Sequence, residues 1–199
     1  MLDLSAYPKS VTLKNNRKVR IAPLKEEDRD AAMAFLSRLP HDEQEYLSDD
    51  PHDPSVIRGW TQPVSANKLI PLAVWEDHRI VSVWTLGFGD HGWTRHLGYI
   101  WGIVELDVRR SGLGTVIVRE LLTLAAQLDM ERVVLELVRP QKGPISHFTN
   151  VGFTTAASLK DWVKDRNGRY HDLIVLTMEL EPAWRKMEEM LSKYDSQGS

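Results

Sequence analysis

Residues 18–24 (KVRIAPL) alternate apolar and polar side chains, which predicts a short strand that Pro23 confines to an edge or an end. From Glu26 the period lengthens. Ala31, Ala32, Phe35, Leu36 and Leu39 recur at helical spacing behind Glu26, Glu27 and Asp28, whose charges suit a helix N-terminus, and Pro40 stops the helix. Asp53-Pro54, a capping residue followed by proline, opens a second short helix through Val56, Ile57 and Trp60. Residues 70–75 and 80–86 are β-rich runs around Glu76-Asp77-His78-Arg79 and predict a hairpin. Residues 96–104 (HLGYIWGIV) form an almost unbroken apolar and aromatic run, as expected of a strand buried on both faces.

The strongest helical stripe in the chain follows: Leu113, Val116, Ile117, Leu121, Leu124, Ala125 and Leu128, with Arg119, Glu120, Thr123 and Gln127 opposite. Residues 132–138 (RVVLELV) read as another buried strand, so strand, helix and strand make a βαβ unit inside a sheet. A short helix over 143–151 is ended by Gly152-Phe153, and two last strands flank the hairpin signal Asn167-Gly168. Pro182 opens a terminal helix with Trp184, Met187, Leu191 and Tyr194 along one stripe, which suits packing on its own domain or a homodimer contact.

Length and composition narrow the function. At 199 residues with 42% apolar and 27% charged side chains, the chain is long enough for one well-filled core and too short for two ordinary domains. Lys+Arg at 25 against Asp+Glu at 28 leaves a net charge of -3, which points away from nucleic acid and toward small partners. The absence of cysteine excludes disulfides, thiolate metal sites and a cysteine nucleophile. No leader-like start and no apolar run of membrane-spanning length occurs, so a cytoplasmic protein with no membrane association is expected.

The junction between the buried strand and the strong helix carries the chemistry. In Arg109-Arg110-Ser111-Gly112-Leu113-Gly114-Thr115 the glycines permit backbone conformations and approaches that a Cβ would obstruct. Outward-pointing amides, the positive end of the helix dipole and two arginines make an anion site suited to phosphate. A Walker A loop fails because no lysine follows Gly114, and a dinucleotide fingerprint is weakened by Ile117 where its third glycine belongs.

Val104 and the loop that follows it resemble the acetyl-CoA-binding signature of the GNAT N-acyltransferases: Arg or Gln, two residues, Gly, one residue, then Gly or Ala, with a valine five residues ahead. The order of elements over residues 18–180 is similar as well. The resemblance implies an α/β (α+β) fold of GNAT type, with a mixed, mostly antiparallel sheet of six to seven strands, about four flanking helices and a C-terminal helix. It implies one domain over 1–199, with its core at 18–180 and a C-terminal helix and tail at 181–199. It also implies acetyl-CoA as acyl donor, with no metal. Arg109, Arg110, Ser111, Gly112, Leu113, Gly114 and Thr115 then hold the pyrophosphate, and the backbone of Gly102, Ile103 and Val104 holds the pantetheine arm. Gly102 suits a close approach of backbone to ligand. Gln141 and Phe148 occupy positions that commonly touch CoA.

Without cysteine, the resemblance implies direct attack of a primary amine on the thioester in a ternary complex. At pH 7 a lysine-like amine needs roughly 4.6 kcal/mol to lose its proton. The family's frequent base, a glutamate in the strand before the signature, falls at Gly98 or Tyr99, so His96 and Tyr99 are the substitutes. The family's frequent acid, a tyrosine, falls at Phe148, leaving His147 and Ser146 as candidates, or water. Asp42, Glu43, Glu45, Asp49, Asp50 and Asp53, at the expected acceptor mouth, would favour a cationic amine; Trp162, His171 and Asp172 could line the same mouth. Two rivals remain: an acyl-CoA-binding module without catalysis, motivated by Gly98 and Phe148, and a nicotinamide-dependent oxidoreductase.

Overall fold

The computed structural model describes residues 2–40, 44, 53–63, 68–89, 92–138, 142–165 and 167–181. Its strands are β1 (Lys9–Thr12), β2 (Lys18–Pro23), β3 (Leu69–Glu76), β4 (Arg79–Phe88), β5 (Leu97–Val104), β6 (Arg132–Val138), β7 (Thr154–Lys164) and β8 (Tyr170–Glu179). They form one eight-stranded sheet in the order β1-β2-β3-β4-β5-β6-β8-β7. The strand beyond the expected six to seven is β1, whose half-exposed residues gave no periodic signal. The α-helices are α1 (Arg29–Arg38), α2 (Pro54–Thr61), α3 (Leu113–Gln127) and α4 (Lys142–Val151). The expected terminal helix beyond Pro182, Gln141 and the acidic residues Asp42, Glu43, Glu45, Asp49 and Asp50 lie outside the described residues.

Local chemistry explains the boundaries. The Asp53 carboxylate accepts from the Ser55 amide at 2.8 Å, and Pro54 follows it, so α2 starts where the sequence places it. Pro23 is the last residue of β2. Pro71 lies inside β3, but β2 pairs with β3 only as far as Leu72, so the missing N–H falls beyond that pairing. In the last hairpin Asn167-Gly168 sits in a longer loop, with Gly168 at φ 80. There the Asp165 carboxylate accepts from the amides of Asn167 and Arg169 and pairs with the His171 ring at 2.9 Å.

Side-chain parity sorts the sheet into two faces. Ile100 of β5, Val133, Leu135 and Leu137 of β6 and Ile174 and Leu176 of β8 pack with Ile117, Leu121 and Leu124 of α3 and Phe148 of α4. Phe35 and Leu36 of α1 and Ile57 and Trp60 of α2 pack on Ala73, Val83 and Ile103 on the other face, where the Trp60 and Trp101 rings lie 5.5 Å apart. Each fully buried aliphatic side chain contributes about 1.5–3 kcal/mol, so the run along α3 is a principal stabilising element. Among the described residues no helix is long and apolar enough to cross a membrane, and no cluster of His, Asp and Glu could hold a metal ion.

Gly102 has a different reason from the one expected. A Cβ placed on it would lie 2.0 Å from the Trp84 indole, so its missing side chain makes room for tryptophan rather than for a ligand. The indole is fixed further by its Nε1 donating to Ser82 Oγ at 3.0 Å. Gly102→Ala is therefore expected to lower stability by about 1–3 kcal/mol or more through overpacking, with partial recovery when Trp84→Leu is added. Thermal melts of the single and double variants check this; an unchanged melting temperature in G102A would contradict it.

Candidate active site

The only parallel pair among the described strands is short. Leu97 to Ile100 of β5 pair with Arg132 to Leu135 of β6, and the ladder then ends. Beyond Ile100, β5 stays with β4 as far as the Val104–Ser82 pair, while β6 stays with β8 as far as Val138–Leu173. The two strands diverge because each holds its register with a different neighbour. The facing edges past Ile100 and Leu135 have no strand partner in each other, which is the kind of edge onto which an extended chain can add.

At the open end of the wedge, β5 runs into the glycine loop. Gly112 adopts φ 87 and stands as N-cap of α3, and Arg110 adopts φ 62. Alanine would be strained at Gly112, which is why glycine is required there. Ser111 is buried, its hydroxyl donating to the Val108 carbonyl at 2.6 Å, while its own carbonyl accepts from the Lys14 amide at 3.0 Å. With the loop fixed this way, the amides of Arg110, Ser111, Gly112, Leu113 and Gly114 find no acceptor among the described residues. Adjacent unpaired donors at a helix N-terminus are an anion-binding array.

His147, on α4, closes the array from the side. A Cβ on Gly114 would lie 2.9 Å from His147 Nε2, so the imidazole packs directly on the start of α3. That Nε2 is buried and without a hydrogen-bond partner. Burial pushes its pKa below the ordinary histidine value of 6.5. An orphaned ring nitrogen beside unpaired amides is a donor set that fits an anion such as a diphosphate.

Ion pairs brace the segment below the loop. Glu105, buried just past the end of β5, pairs with Arg38 of α1 at 2.9 Å and with Arg79 at the start of β4 at 3.1 Å. Arg17 holds Glu76 through two bonds of 2.6 Å and reaches Asp107 at 3.2 Å. The Glu76 carboxyl is held below the ordinary carboxylate range chiefly by the Arg17 hydrogen bond.

The structure gathers some of the anticipated residues and disperses others. Arg109, Arg110, Gly112, Gly114 and Thr115 meet at the loop, with Arg109 Nε donating to the Val104 carbonyl at 3.1 Å. Leu113 is a core anchor, and Ser111 is engaged with the backbone. Tyr99 stands at the mouth of the wedge with 40% of its surface exposed, so β5 is not buried on both faces. His96 does not join it: at about 3.3 Å per residue it lies roughly 10 Å upstream of Tyr99, before β5 begins. Gly98 could not present a carboxylate to the mouth, because a Cβ there would meet Met130 Sδ at 2.6 Å on the α3 face. Phe148 is 3% exposed and packs edge-on against Trp84 and Phe153, so it is a core residue rather than part of a ligand surface. Ser146 is exposed on α4. His171 is committed to Asp165 in the last hairpin, and Asp172 accepts from the Asp161 amide.

Two residues at the site are not among those the sequence singles out. Lys14 lies far from the loop in sequence, yet its aliphatic carbons come within 3.2–3.5 Å of where a Gly112 Cβ would stand. Glu136 is the polar interruption in RVVLELV, and the alternation of β6 around it was the available clue. Val133, Leu135 and Leu137 pack toward α3, so Glu136 faces the opposite side and is exposed.

Comparison with known proteins agrees with this geometry. Residues 30–153 match the acetyltransferase (GNAT) family, and the chain belongs to it. No curated protein matches in sequence. The GNAT domain of PAT from S. lividans has a similar structure, with a TM-score of 0.73 at 15% identity over 86% of this chain and 96% of that one. RimJ of Mycobacterium smegmatis, solved in complex with CoA-disulfide, gives a TM-score of 0.72 at 16% identity over 89% and 90%. A ribosomal-protein-alanine N-acetyltransferase from Brucella melitensis gives 0.67 at 18% over 80% and 99%.

The buried histidine sets a pH dependence. A pKa lower in the folded than in the unfolded chain means that the unfolded chain takes up a proton first as pH falls below about 6.5. Stability from neutral His147 is complete above that value and declines below it. Melting temperatures recorded from pH 7.5 to 5.5 are expected to fall less steeply in His147→Leu than in the wild type; equal slopes would contradict the assignment.

Proposed function

We propose that the protein transfers an acetyl group from acetyl-CoA to a primary amine by direct attack. The observation that carries this reading is the array of unpaired amides from Arg110 to Gly114, placed where β5 leaves the wedge. The amides, with Lys14, Arg109 and Arg110, hold the diphosphate, and His147 Nε2 donates from the side. The β5 edge over residues 102–104 receives the pantetheine arm as an added strand would be received. Bound there, acetyl-CoA supplies an activated thioester.

The remaining work falls to the chain. Hydrogen bonds to a charged group are worth roughly 1.5–3 kcal/mol each, against about 0.3–1 for an exposed helix dipole, so the amides dominate binding. The absence of cysteine leaves no side-chain thiol to carry the acetyl group, which favours direct transfer. The amine enters on the α1/α2 face, where Tyr99 and Trp101 present aromatic surface; such rings favour a cationic group. The RimJ complex with CoA-disulfide and the alanine acetyltransferase among the structural neighbours support donor and acceptor classes of this kind.

A second reading, a CoA-binding module without catalysis, is favoured by Phe148 lying in the core and by Gly98 being closed to a carboxylate. Acetyl-CoA at about 100 times its dissociation constant is expected to stabilise the fold by about 2.7 kcal/mol, a rise of several degrees in melting temperature. Gly112→Val should abolish the shift, and Lys14→Gln should reduce it most at low salt. CoA release with amines and alanine-initiated peptides separates the enzyme from the module: stabilisation without release on any acceptor would favour the latter.

A further inference from the structure

The wedge opens on a carboxylate. β5 and β6 last pair at Ile100 and Leu135, and Glu136 is the first β6 residue beyond that point. On β5, Tyr99 and Trp101 alternate with Ile100, which packs toward α3, so both lie on the same face of the sheet as Glu136. Tyr99 stands opposite Val134, one pleat earlier, so the phenol and the carboxylate flank the point where the strands separate.

Other acids near the wedge are committed elsewhere. Glu105 is locked between Arg38 and Arg79, Glu179 is paired with Arg132, and Asp165 is taken by His171 and backbone amides. Glu136 is exposed and makes no hydrogen bond or ion pair with any described residue. The remaining titratable groups on this face of β5, β6 and β8 are Tyr99, His171 and the Arg132–Glu179 pair.

Resting on the acetyl-transfer reading, we propose that Glu136 is the proton acceptor for the incoming amine, taking the place that Gly98 cannot fill and that His96 is too distant to fill. The acceptor arrives as an ammonium ion. Its proton passes to the Glu136 carboxylate, directly or through one water, and the freed lone pair forms the C–N bond to the thioester carbonyl carbon. The C–S bond breaks and its electron pair stays on sulfur. The second proton lost from nitrogen goes to that thiolate, and Glu136 releases the first to solvent. The sum is an ammonium ion and acetyl-CoA giving an N-acetyl amine, CoA thiol and one proton.

The test compares wild type, Glu136→Gln and Glu136→Asp, using cadaverine and an alanine-initiated tetrapeptide as acceptors from pH 7 to 10. At pH 7, E136Q is expected to lower kcat by about 100-fold or more, the range of general-base help, with E136D recovering part of the loss. The deficit should narrow toward pH 10, where free amine no longer has to be generated. Titration calorimetry should show coenzyme A binding E136Q as it binds the wild type. An unchanged kcat, a loss confined to KM, a deficit equal at every pH, or weakened coenzyme A binding would each overturn the assignment. Wild type that binds coenzyme A but acetylates neither acceptor would remove the acetyl-transfer reading itself, and this inference with it.

Discussion

Everything at the site follows from a conflict of register. β5 is committed to β4 from Gly98 to Val104 and β6 to β8 along its whole length, and the two agree with each other only over their first residues. Where the three ladders fall out of step, it is the parallel one, the less stable per residue, that gives way. The result is an opening in the middle of a sheet rather than at its margin. Unpaired backbone there is held rigid by outer ladders that remain intact.

The glycines around this opening look alike in sequence and answer to different forces. Gly112 is required by its backbone conformation, since φ 87 is strained for any residue with a Cβ. Gly114 leaves space for an imidazole, and Gly102 for an indole. Only the first follows from turn geometry; the other two are packing answers to His147 and Trp84, residues far away in sequence. The two glycines of a motif that reads as one phosphate-binding unit thus answer to separate constraints.

Much of the architecture was legible. The heptad-like stripe of α3, the Asp53-Pro54 start of α2 and the βαβ unit across the loop all express local periodicity or capping, which a sequence displays directly. What was not legible depends on which strand lies beside which. Glu136 became visible only once β6 was known to part from β5 after Leu135, and Lys14 only once the β1–β2 turn was seen folded over the loop. His96 stands in sequence close to the place where the family's glutamate would fall, but an extended strand separates residues too quickly for that to bring it to the mouth. The resemblance implies a place for Phe148 beside CoA, whereas edge-on packing with Trp84 and Phe153 commits it to the interior.

Glu105 adds a charged link between regions that the core already joins through Phe35, Leu36 and Ile103. Its carboxylate is gripped by Arg38 at the end of α1 and by Arg79 beside the β3–β4 turn, and it stands in the chain just ahead of the segment that leads into the anion array. A guest that displaced α1 would drag on this salt link and disturb the amides a few residues on. Were the two coupled in this way, thermodynamic reciprocity would require occupancy of the array to bias α1 by the same free energy.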